Sequence, residues 1–162
     1  MIYWFDANYF RTYSIHTEGV EERQYQQHLY NAQEYDLVNL IGKSLKEHLQ
    51  DAYLNSTATP YEQYLQPYFK TYLLNDVELK LCDFLTYRNT SKGVQQFNQT
   101  DSTNADYSNI FVLKDTFKTY KENAKTTICK YIHDNILEFP LYGYDECVGC
   151  YNEDSRTDVY FP

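Results

Sequence analysis

Residues 61–85 read YEQYLQPYFKTYLLNDVELKLCDFL. Here Leu65, Phe69, Leu73, Val77, Leu81 and Leu85 recur at every fourth position, which on an α-helix keeps them on one slowly drifting stripe. Tyr61, Tyr64, Tyr68 and Tyr72 form a second stripe beside the first. One apolar stripe serves a core. Two adjoining stripes imply either a single wide buried face or contact on both sides of the helix. Pro60 suits a first helical turn and Asn55–Thr59 reads as the preceding turn, so a long helix is expected over 60–90. Pro67 lies inside it, where a missing N–H and a bulky ring call for a kink or a late start.

Working towards the N-terminus, Lys43–Tyr53 carries Leu45, Leu49 and Tyr53 at helical spacing. An earlier helix is expected from Glu21 or Glu22, carboxylates that suit a helix start, to about Leu40. Its face, Leu29, Ala32, Gln33, Asp36, Leu37 and Leu40, has a polar notch. Between these two helices AQEYDLVNLIGKSL (32–45) is cut by Gly42, expected at a sharp corner because a backbone without Cβ reaches conformations that other residues resist. Working towards the C-terminus, SKGVQQFNQTDSTN (91–104) holds the clear break. Gly93, Val94 and Phe97 suggest a short β-like excursion, and Asp101–Asn104 a cap for the next helix. That helix, about Ala105–Leu137, carries Ile110, Leu113, Phe117, Tyr120, Ala124, Ile128 and Tyr131 at alternating steps of three and four. Pro140 and Gly143 end it.

The expected fold is all-α: a small bundle of two short and two long helices, with a loop or β-like excursion between the long pair. Residues 21–140 form the helical domain. Residues 1–20 are an aromatic N-terminal arm and residues 141–162 an extended acidic–aromatic tail. Such sticky arms need burial against their own domain or a neighbour.

At 162 residues the chain suits one domain with a real core. Nineteen tyrosines and nine phenylalanines carry much of the apolar surface. Rings with polar tips favour surfaces partly wet and partly packed, although an AT-rich genome also inflates Tyr, Asn and Lys. The net charge of −9 and the lack of a basic cluster argue against gripping nucleic acid, whose affinity comes from neutralised phosphates. No stretch approaches the length of a membrane span, and the opening MIYWFDANYF lacks the basic region and cleavage site of a secretory signal. Synthesis in a cytosol is the expectation, with the sequons at Asn55, Asn89 and Asn98 read as accidental.

No phosphate-binding loop, dinucleotide glycine motif, nucleophile elbow or zinc-protease helix is present, so neither enzyme activity nor a cofactor is expected. His16, His28, His48 and His133 are isolated. Cys147-Val148-Gly149-Cys150 has the spacing for zinc or redox chemistry. A closed zinc site would also need Cys82 and Cys129, which a hairpin of the two long helices holds on the order of 25 Å apart at 1.5 Å per residue. Free thiols in a tail are expected ahead of metal or redox chemistry.

Four pieces in order, AQEYDLVNLIGKSLKEHL (32–49), the 61–85 helix, SKGVQQF (91–97) and YIHDNILEFPLYGY (131–144), resemble the all-helical head–tail connector (adaptor, or head-completion) family of tailed bacteriophages. The likeness is to the neck ring proteins of phages of Bacteroidetes, the crAss-like phages included. It covers about residues 27–144 and leaves the two ends outside. The resemblance implies a virion protein assembled in the bacterial host cytoplasm. It would form a ring of usually twelve identical subunits in the neck, joining the portal to the tail and other neck proteins around the passing genomic DNA. Twelve copies would carry about −108 formal charges, enough to let DNA slide rather than stick. Expected interface residues are the stripe Tyr61, Tyr64, Tyr68 and Tyr72, and in the arms Tyr3, Trp4, Phe5, Phe10, Tyr142, Tyr144, Tyr151, Tyr160 and Phe161. Gly42, Gly93 and Pro140 are expected to serve as structural turns. The competing expectations are a monomeric helical module that binds a protein through its aromatic arms, and a small zinc or thiol protein using Cys147 and Cys150.

Overall fold

The structure, a computed structural model, describes residues 7–14, 22–90, 93–96 and 107–143. Within them the protein is all-α, with one two-stranded hairpin. Helices α1 (Ala7–Tyr13) and α2 (Glu22–Asn31) come first. One π-helical turn (Ala32–Asp36) follows, then α3 (Leu37–Ile41), α4 (Lys43–Leu54) and the long α5 (Pro60–Thr86). Strands β1 (Tyr87–Thr90) and β2 (Gly93–Gln96) pair antiparallel, Thr90 opposite Gly93, before the long α6 (Tyr107–Asp134) and a 3-10 turn (Ile136–Glu138).

The four-residue stripe of α5 is the centre of the core. Leu65, Phe69, Leu73, Val77 and Leu81 are all buried, and Ala124, Ile128 and Ile132 of α6 meet them from an antiparallel neighbour. Burying such a side chain contributes about 1.5–3 kcal/mol. α5 runs through Pro67 from a start at Pro60, so the late start is not adopted. Thr59 caps that start: its amide donates to Glu62 Oε2 at 2.6 Å, and the Glu62 amide donates to Thr59 Oγ1 at 3.3 Å. This reciprocal box satisfies two donors that a helix end leaves orphaned. Glu62 also meets His48 Nε2 of α4 at 2.7 Å and takes the Tyr53 hydroxyl on its carbonyl. Glu62→Ala is therefore expected to cost about 1–2 kcal/mol, read as a lower midpoint in thermal unfolding followed by circular dichroism.

Gly42 makes the corner expected of it. With φ 83° and ψ 159° it ends α3 and opens α4, and its amide still donates to the Val38 carbonyl at 2.8 Å. That backbone region is essentially restricted to glycine. Just before the corner, the polar notch proves to be the π-helical turn. Ala32 and Leu37 would diverge by roughly 140° on a regular helix at 3.6 residues per turn. The extra residue brings both to full burial. The same turn offers Glu34 to Lys46 of α4 at 2.7 Å and Asp36 to Lys80 of α5.

Three expectations are corrected. The excursion begins at Tyr87, inside the range given to the long helix, and Gly93 opens its second strand. The final helix stops at Asp134, where the Asn135 side chain donates to the Tyr131 carbonyl and its backbone leaves helical geometry. Pro140 then occupies the second position of a turn closed by the Tyr142 amide on the Phe139 carbonyl, returning Phe139 and Tyr142 to the core. Finally, residues 7–13 of the N-terminal arm are helical rather than extended. Phe10 is 1% exposed and Ser14 Oγ lies 3.1 Å from the Tyr25 hydroxyl of α2, because an aromatic helix gains more from burial than from solvent.

Candidate assembly face

α5 and α6 lie antiparallel, with Asp83 paired to Lys114 towards one end, Asp76 to Lys121 in the middle, and Tyr64 stacked on Tyr131 at 4.3 Å towards the other. One side of this pair is bolted to the rest of the bundle. The Asp76 carboxylate, almost wholly buried, takes Lys80 and Lys121 at 2.6 Å each, and Lys80 also reaches Asp36 in the π-helical turn. Burial alone would lower the Lys80 pKa, but the two carboxylates more than offset it and hold it above the usual lysine value. Tyr72 belongs to this side. Its ring lies 5.2 Å from the Lys121 ammonium, and burial, then the Asp76, Asp36 and Glu122 carboxylates, push its hydroxyl well above the ordinary tyrosine range.

The other side faces solvent and carries little charge between Val112 and Thr127, with exposed Lys130 and Asp134 on the same line at its C-terminal end. At helical spacing Val112, Thr116, Thr119, Tyr120, Asn123, Thr127 and Tyr131 run along α6, with Val112 62% and Tyr120 54% exposed. The strip continues across the stacked tyrosines to Tyr64, Pro67 and Thr71 of α5. Its threonines are not polar in effect. Thr116 donates its hydroxyl to the Val112 carbonyl at 2.8 Å, Thr119 to Asp115 at 2.7 Å, Thr127 to Asn123 at 2.9 Å and Thr71 to Pro67 at 3.0 Å. Each hydroxyl is satisfied within its own helix four residues back, so a partner can cover these residues without stranding a donor. Val112, Asp115, Thr116, Thr119 and Tyr120 line a shallow hollow of about 330 Å³ whose single charge is Asp115.

The expected interface residues separate accordingly. Tyr61 and Tyr64 are exposed, Tyr68 is half-buried, and Tyr72 is packed inward. Phe10 and Tyr142 are also core residues, so the outward roles expected of Phe10, Tyr72 and Tyr142 are corrected: bulky rings beside the bundle are buried by it before any partner arrives. Removing residues 1–13 would take Phe10 from the core as well as any docking arm. Tyr3, Trp4, Phe5, Tyr144, Tyr151, Tyr160 and Phe161 lie outside the described residues. The α6 strip was missed in sequence because threonine scores as polar, and only its hydroxyl geometry reveals an apolar surface. Cys82 is a buried thiol and Cys129 of α6 is disulfide-bonded, while Cys147 and Cys150 lie outside the described residues.

Among the described residues no group of His, Cys, Asp or Glu is arranged to hold a metal, and no helix is long and apolar enough to cross a membrane. Residues 37–152, over two thirds of the chain, match a family of unknown function, DUF6712. The chain belongs to that family. The matched range opens at the first residue of α3 and takes in the Gly42 corner, both long helices and the whole α6 strip. No curated protein and no solved structure matches the chain.

Proposed function

We propose that the protein is a structural virion component of a tailed bacteriophage, packing against identical copies to form a ring in the neck between portal and tail, around the DNA passage. One observation carries this: the α5–α6 pair is apolar on two sides, and from Val112 to Thr127 the side that its own bundle leaves open has Asp115 as its one charge at the edge, on a chain of net charge −9. Copies that repel one another over most of their surface approach most cheaply where charge is absent. A ring needs one face of a subunit to fit a different face of the next, so that rotation closes the assembly. The strip supplies one face, and exposed Tyr35 in the π-helical turn and Leu54 at the end of α4 are available elsewhere on the bundle for the other.

The test is electron microscopy and native mass measurement of the purified protein mixed with its portal. Rings with a central hole are expected. A protein that stays solitary on the portal overturns the proposal and favours the monomeric protein-binding module, which would use the same strip for a different chain.

A further inference from the structure

The α6 strip is uncharged over its middle and bounded by opposite charges. Between Asp115 and Lys130, both exposed, its outward positions are Thr116, Thr119, Tyr120, Asn123 and Thr127. The two charges stand roughly 22 Å apart along the helix at 1.5 Å per residue, and about 60° apart around it at 3.6 residues per turn. A strip that is negative towards its N-terminal end and positive towards its C-terminal end complements itself when a second copy is turned end for end. A two-fold axis between Glu122 and Asn123 then brings Asp115 of each copy level with Lys130 of the other.

We infer that two copies of this chain pair antiparallel through their α6 strips, joined by two Asp115–Lys130 contacts around an uncharged centre. Parallel copies in register would instead set Asp115 against Asp115 and Lys130 against Lys130, and like charges face to face oppose association. The remaining charges leave the antiparallel arrangement intact. Glu122 lies off the centre line of the strip with Lys125 4.0 Å from its carboxylate. Asp134 falls opposite Phe111, a ring 66% exposed, at the open margin. The centre can be covered without stranding a donor, because the Thr116, Thr119 and Thr127 hydroxyls already donate within α6. Surface ion pairs are weak singly, so the covered centre supplies the attraction while the two ion pairs fix direction and register. The pairing concerns the protein before any portal is present and does not rest on the ring. Where a ring forms, the same strip serves both contacts, and the pair must part before the ring closes.

The experiment is sedimentation velocity of the purified full chain alone, over a concentration series, with charge-reversal variants. Wild type is expected as monomer and dimer in a concentration-dependent balance. Asp115→Lys and Lys130→Glu each set like charges together twice and should weaken dimerisation about tenfold or more. The double variant Asp115→Lys/Lys130→Glu remakes both pairs and should return dimerisation to within a few-fold of wild type. Lys43→Glu on α4 changes the net charge as much as Lys130→Glu and should leave the dimer unchanged. All three positions are exposed, so circular dichroism should show every variant folded. A wild type that is monomeric throughout, single reversals without effect, or a double variant no better than the singles would each overturn the inference. Electron microscopy of the same samples with portal keeps the two ideas apart. Rings from a protein that never dimerises alone overturn the pairing and leave the ring, whereas dimers that yield no rings do the reverse.

Discussion

Thr116→Glu together with Tyr120→Glu is expected to leave the monomer folded and to abolish the ring on the portal that we propose. Tyr120 is more than half exposed and Thr116 lies on the outer side of α6, so neither change opens the core. Surface substitutions of that kind stay within about 0.5 kcal/mol, and the unfolding midpoint should move by no more than a degree or two. In an assembled ring the same two carboxylates would be stripped of water in a hollow that already holds Asp115. A buried, unpaired charge costs several kcal/mol, so each subunit contact should weaken by about 100-fold or more. In the proposed ring the loss would repeat at every interface. Negative-stain images and sedimentation of wild-type and variant protein with portal read the outcome. Unaltered rings in the variant would show that α5–α6 does not face a neighbour.

A second large effect is expected at the helix corner. Gly42→Val places a β-branched side chain at φ 83° and ψ 159°, where the residue is also buried against α3 and α4. Backbone strain alone is about 1–3 kcal/mol, and the added volume raises the total towards about 3 kcal/mol or more. For a chain of this size that corresponds to a fall of about 6–12 °C in the unfolding midpoint. Gly143 also has positive φ, at 82°, but is exposed beyond the last turn, so Gly143→Ala should cost clearly less. Scanning calorimetry on both variants separates a strained central corner from a generic glycine effect. Equal losses at the two sites would refute the special role of Gly42.

Local information was legible in the chain, and non-local information was not. Four-residue spacing in 61–85 marks α5, and Thr59-Pro60 with Glu62 marks its start, because periodicity and capping involve residues within one or two turns. Gly42 announces its corner for the same reason: the constraint acts on its own backbone. Tyr61 and Tyr72 look alike in sequence, yet one is exposed and the other buried. Their fates depend on the π-helical turn and Lys121, dozens of residues away. That turn was invisible as well. Its extra residue is held by Glu34–Lys46 and Asp36–Lys80, two ion pairs that exist only after the helices meet.

Composition and pattern thus determined an all-helical chain with two long rods, a glycine corner and aromatic ends, since each follows from short-range sterics and the helical repeat. Only tertiary structure decided which tyrosines are core, that Phe10 and Tyr142 close the bundle, and that a row of threonines presents an apolar surface. The physical reason is that burial and hydroxyl satisfaction belong to pairs of surfaces, and a surface has no partner until the chain has folded.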